Sequence, residues 1–65
     1  MNEKFYTTRE LAEMLGVQVN TLEIWRWRGT GPRFIKAGRL IRYREEDIQN
    51  WIQANIHGST SEVSG

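Results

Sequence analysis

Leu11-Ala12-Glu13-Met14-Leu15-Gly16-Val17-Gln18-Val19-Asn20-Thr21-Leu22-Glu23-Ile24-Trp25 is the stretch that decides the fold. Ahead of Gly16, the residues Leu11, Ala12, Met14 and Leu15 recur at the spacing of one apolar helix face, with Glu10 and Glu13 left to solvent. Gly16 ends that helix, being the residue that tolerates a left-handed C-terminal conformation. Thr7-Thr8-Arg9-Glu10 starts it as a capping box, with Thr7 as N-cap and Glu10 reaching back; Phe5 and Leu11 are expected to form a hydrophobic staple. The first helix is therefore expected over residues 8–15. A second is expected from about Val19 to Arg28, stopped by Gly29 and weakly capped by Gln18. On it Thr21, Leu22 and Trp25 share one face and Asn20, Glu23 and Trp27 lie opposite, with Ile24 and Arg26 on the flanks.

So short a connection between two helices is that of a helix-turn-helix, in which the second helix crosses the first steeply and stays exposed. Working outward, Gly29-Thr30-Gly31-Pro32 reads as a loop. Phe34-Ile35-Lys36 and Leu40-Ile41-Arg42-Tyr43 flank Ala37-Gly38-Arg39, the pattern of a β-hairpin. Phe34, Ile41 and Tyr43 are its expected inward set, and Lys36, Arg39 and Arg42 are expected to point out or sit at the tip. Glu45-Glu46-Asp47 opens a third helix, with acids where the helix dipole favours them. Ile48, Trp51, Ile52 and Asn55 form its expected inner stripe. Leu22, Trp25, Phe34, Tyr43 and Trp51 are expected in the core. The fold class is α+β and mostly helical: a small winged helix-turn-helix with two N-terminal helices, a two-stranded hairpin wing and a C-terminal helix. It is expected over residues 1–56, followed by a disordered tail over 57–65 that lacks periodicity and carries His57 near its start.

A 65-residue chain has room for one domain, and its core must be small and aromatic-assisted. Without cysteine there is neither a disulfide framework nor a thiolate metal site, and the single histidine cannot hold zinc alone. No metal or other cofactor is expected. The polar start, Met1 to Lys4, does not resemble a signal peptide and no run is long and apolar enough for a bilayer, so a cytoplasmic protein is expected. Net charge is only +1, yet seven of the nine basic residues lie between Arg26 and Arg44 with no acid among them. They are Arg26, Arg28, Arg33, Lys36, Arg39, Arg42 and Arg44; the acids Glu3, Glu10, Glu13 and Glu23 precede them and Glu45, Glu46, Asp47 and Glu62 follow. Cations gathered this way build a local positive field, for which nucleic-acid phosphate is the commonest target; a solvated basic face without a ligand is the alternative.

Several segments together resemble the excisionase/AlpA-type helix-turn-helix family, a compact relative of the MerR-type DNA-binding domain. They are Thr7 through Val17, Thr21-Leu22, Trp25-Arg26, Phe34 through Tyr43, and Asp47-Ile48-Gln49-Asn50-Trp51, covering roughly residues 5–54. Members of that family belong to phages, prophages, plasmids and integrative elements. They act as excisionases (recombination directionality factors) or as small transcription regulators of the mobile element. The resemblance implies a second helix in the major groove, a wing in the adjacent minor groove, and copies bound side by side that bend DNA for a site-specific integrase. Relatives often carry Arg at the positions of Glu23 or Ile24, and this chain departs from that.

Val19, Asn20, Glu23 and Arg39 are the candidates for contact with bases or a groove. Asn20 stands at the N-terminal end of the second helix, the part of a recognition helix that reaches bases, and can bond adenine N6 and N7 together. A solvated or capping Asn is the plain alternative. Glu23 can accept from cytosine N4 but repels phosphate. Arg39, beside Gly38 at the hairpin tip, suits a narrow A·T-rich minor groove, whose potential attracts a guanidinium. Thr21, Arg26, Arg28, Lys36 and Arg42 are the phosphate candidates, because most protein–DNA hydrogen bonds go to the backbone. Trp27 has three open readings: packing on sugar-phosphate, contact with a neighbouring copy, or cover for the base of the wing.

An enzyme is not expected, since the basic stretch holds no carboxylate pair and no histidine sits near a nucleophile. A protein-interaction module would use the apolar Val19, Ile24 and Trp27 but leave the cations unexplained. RNA binding lacks its aromatic sheet platform. Sequence-specific binding of double-stranded DNA is the reading that accounts for most residues.

Overall fold

Thr7 closes the N-terminus of the first helix from both sides. In a computed structural model, which describes residues 3–56, the Glu10 amide donates to Thr7 Oγ1 at 3.0 Å and the Thr7 amide donates to Glu10 Oε1 at 2.9 Å. Just before it, Phe5–Tyr6 forms a short strand, β1. Helix α1 then runs Thr8–Leu15, and after Gly16-Val17-Gln18 helix α2 runs Val19–Arg28. Gly16 and Gly29 end the two helices in left-handed backbone, as their sequence positions predicted. Gln18 makes no side-chain cap.

Strands β2 (Ile35–Ala37) and β3 (Leu40–Arg44) form the expected hairpin, turning at Gly38-Arg39. Helix α3 follows at once as Glu45–Ala54. The sheet has three antiparallel strands in the order β1-β3-β2, not the two expected. The third strand escapes sequence patterning because two residues show no alternation. Phe5 pairs with Arg44 and Tyr6 with Tyr43, while the Glu45 amide donates to the Lys4 carbonyl at 2.9 Å. The strand pairing also corrects the staple: Phe5 is 46% exposed, and Tyr6 is the residue that packs on the core.

Leu11, Ala12, Leu22, Tyr43 and Ile48 make the buried cluster, drawn from both helices of the turn, the wing and α3. Tyr6, Leu15, Val17, Val19, Trp25, Ile41 and Ile52 pack around it. Leu22 and Tyr43 match expectation; Trp25 and Trp51 are only half-buried, their rings meeting at 5.4 Å, and Phe34 is 38% exposed. Phe34 instead lies against Tyr43, with ring centroids 6.2 Å apart. The loop after α2 passes over Trp25 so closely that a Cβ on Gly31 would stand 3.0 Å from the indole, and φ of +82° there disfavours any side chain. Asn55 does not line the inner face of α3. It is exposed, and its Nδ2 donates to the Trp51 carbonyl at 2.8 Å, closing the helix end. The expected tail, residues 57–65, lies outside the described residues, as does His57.

Candidate nucleic-acid interface

Because Leu22 and Trp25 anchor α2 to the core, its opposite side is presented to solvent. Asn20, Glu23, Ile24, Trp27 and Arg28 are exposed there, Trp27 at 88% and Ile24 at 41%. Trp27 therefore does not cover the base of the wing. Val19, expected among the groove contacts, is half-buried and packs against the core instead, as does the turn residue Val17. Thr21 is half-buried on the flank.

Arg26 is turned inward. Its Nη1 donates to the Tyr43 hydroxyl at 2.9 Å and to Thr8 Oγ1 at 3.2 Å, and the guanidinium sits 5.8 Å from the Phe34 ring centroid. One cation thus ties α2 to α1 and to the wing, a use that its place in a basic run conceals. Arg44 is likewise engaged: Nε donates to Asp47 Oδ2 at 2.8 Å and Nη2 to Oδ1 at 3.2 Å, with Glu3 at 3.4 Å. Asp47 is nearly buried. The Arg44 hydrogen bond holds its carboxyl below the usual carboxylate range, against the opposing effect of burial, and the charges of Arg44 and Arg33 add to the lowering. No sequence pattern marks this pair, because an acid in a first helical turn is ordinary on dipole grounds alone.

On the hairpin, register separates the cations. Directly paired residues share a face of an antiparallel sheet and successive residues alternate. Lys36 opposes Ile41, so it lies on the core-side face beyond the packed residues, whereas Arg42 opposes Ile35 on the other face. Arg42 is half-buried and donates from Nη1 to the Ile41 carbonyl at 2.8 Å. Arg39 is exposed in the turn, and Arg33, which had no assigned role, is exposed in the loop before β2. Arg28, Arg33, Lys36 and Arg39 remain as the exposed cations of the stretch, while between Asn20 and Trp27 the only cation on α2 is the inward Arg26.

A helix pair joined by a three-residue turn, with an exposed second helix and a basic hairpin, is matched by a family model described as a helix-turn-helix domain, over residues 5–56. The chain belongs to that helix-turn-helix family. The membership suggests binding of double-stranded DNA, and the match ends where the described residues end. No curated protein gives a significant match. Among the described residues no group of side chains is arranged to hold a metal ion, and no helix is long and apolar enough to cross a membrane.

In a helix-turn-helix the second helix is the groove-reading element, and here its outward residues are Asn20, Glu23, Ile24 and Trp27. Sequence reasoning placed Asn20, Glu23 and Arg39 correctly as exposed. It could not place Arg26, whose partner Tyr43 lies 17 positions away.

Proposed function

We propose that the chain is a sequence-specific DNA-binding factor of the excisionase/AlpA type, with α2 in the major groove, the β2–β3 wing at the adjacent minor groove, and the bound DNA bent for a site-specific integrase. The observation that carries the reading is the juxtaposition of an exposed α2 face bearing Asn20 with a wing whose turn exposes Arg39. Asn20 and Glu23 contact base edges, Arg39 enters the minor groove, and Arg28, Lys36 and Arg42 hold phosphates. A lone module of this size buries only about 600–1,000 Å² of protein surface on DNA. Adjacent copies bound side by side supply the remaining energy and accumulate the bend.

Footprinting on DNA surrounding the gene tests this. Protection of tandem sites beside an integrase gene, with circular-permutation gels showing greater bending as copies add, supports the excisionase. Protection of a promoter alone, with independent and unbent filling, assigns the chain to regulation of transcription instead. Absence of any DNA binding leaves the protein-interaction reading.

A further inference from the structure

The exposed face of α2 has an unusual chemical content for a surface set among arginines. Taking about 100° per residue, Asn20, Glu23, Ile24 and Trp27 fall within about 100° of arc on the side away from Leu22, with Trp27 about 140° around from it. From Asn20 to Trp27 the helix rises about 10 Å, or about three base-pair steps at about 3.4 Å each. Two of the four residues are apolar and exposed, one is a carboxylate, and the only hydrogen-bond donors are the Asn20 amide and the Trp27 indole N–H.

Such a face does not suit phosphate, for which the chain exposes Arg28 at the end of α2 and Lys36 and Arg39 on the wing. Nor does it suit guanine, whose major-groove edge offers two acceptors and meets a carboxylate unfavourably. What the major groove offers to apolar atoms is the thymine C5-methyl, and to a carboxylate it offers the cytosine amino group. We propose that Ile24 and Trp27 recognise thymines through their C5-methyl groups, giving α2 a site in which thymine at two positions, and not guanine, carries the apolar part of the specificity. The proposal rests on the DNA-binding reading and deepens it. It also assigns Trp27 to DNA in place of a neighbouring copy, because Trp27 shares its arc with Asn20, so a groove that receives one receives both.

The test begins with duplexes selected by the protein from a random library, each thymine of the selected site then being replaced singly by deoxyuridine, which removes the methyl group and keeps every hydrogen-bonding atom. Binding is measured by fluorescence anisotropy on a single site. Wild type should lose about fourfold in affinity at each of two thymines, the worth of one buried methyl group. Trp27→Ala should become indifferent to the methyl at one of them and Ile24→Ala at the other, while Asn20→Ala stays sensitive to both. Trp27 is so exposed that its truncation should leave the circular-dichroism melt unchanged, which separates contact from folding. Salt-dependent binding that ignores deoxyuridine everywhere overturns the methyl recognition and leaves DNA reading intact. Loss of cooperativity on tandem sites in Trp27→Ala, with single-site methyl sensitivity kept, overturns the assignment of Trp27 and places it between copies. A wild-type protein that binds no duplex overturns both levels.

Discussion

Arg26 and Tyr43 meet at 2.9 Å, guanidinium to hydroxyl, and this contact joins the second helix to the wing through residues that sequence alone would put to different uses. Tyr43 is buried with its hydroxyl pointed at the one inward cation of α2, and Phe34 covers the pair from the side. This bond helps to set how α2 sits relative to the hairpin.

Tyr43→Phe removes the hydroxyl and keeps the ring. It should cost about 1.5–3 kcal/mol in urea unfolding, the usual worth of a hydrogen bond to a charged group. Arg26→Met should cost a similar amount and leave the slope of log affinity against log salt unchanged, because the cation it removes is held within the protein. A slope flattened by one unit in Arg26→Met would return Arg26 to the phosphate-binding set.

The Arg44–Asp47 pair makes the fold sensitive to acid. Since the folded carboxyl titrates below its unfolded value of about 3.9, its contribution is complete above that pH and is lost as pH falls through the lower folded value. Asp47→Asn should therefore melt below wild type at pH 6, with the gap closing progressively below about pH 4. A gap that stays constant down to pH 2 would show that Asp47 acts by packing and not by its charge.

Much of this fold is legible in the sequence because its local signals agree. Thr7 with Glu10, Gly16, Gly29 and the Gly38 turn each punctuate the chain where the structure does. What stays hidden is what depends on partners distant in sequence. β1 is defined by Arg44 and Tyr43, Arg26 by Tyr43, and the opposite faces of Lys36 and Arg42 by a register that no single strand specifies. The basic stretch between Arg26 and Arg44 was legible as a charge block but not as a surface, because two of its members are consumed by internal pairs.

Core burial ranks the apolar truncations. Ile48 is fully buried between α3 and the rest of the core, whereas Trp51 is half-buried against Trp25. Ile48→Ala should cost about 2–5 kcal/mol, close to the 3–5 kcal/mol or so that a domain this small draws from its core, and should largely unfold it. Trp51→Ala keeps part of its surface wet already and should cost about 2 kcal/mol, below the 3–5 of a fully buried Trp. The sequence alone put Trp51 in the core; thermal melts of the two variants should show Ile48→Ala to be the more damaging.

Asn20→Ala and Arg28→Ala should fail differently on DNA. On the proposed reading the first loses a base contact, so it should reduce discrimination between cognate and scrambled duplexes by about 1–3 kcal/mol. On the same reading the second loses a phosphate contact, so it should weaken both duplexes alike and flatten the salt slope by about one unit. With Arg28, Arg33, Lys36 and Arg39 exposed and Arg42 half-exposed, the wild-type slope should be about −4. Uniform loss in both variants would mean that α2 does not read sequence through Asn20.

Arg39 should act through groove shape. It sits in the turn of the hairpin, exposed, with Lys36 and Arg42 on opposite faces of the ribbon behind it, so a wing edge-on to DNA carries a cation at its tip and one on either side. That arrangement fits a narrow groove entered tip first, with the flanking cations reaching the two phosphate rails. A·T tracts narrow the minor groove and deepen its negative potential, whereas G·C pairs widen it. Wild type should therefore prefer sites flanked by an A·T tract on the wing side, at constant sequence under α2. Arg39→Ala should abolish that preference while leaving discrimination at the α2 contacts intact. Arg39→Lys should restore only part of it, because a compact ammonium keeps the water that a guanidinium gives up more readily. Retention of the full flank preference in Arg39→Ala would place the wing outside the minor groove.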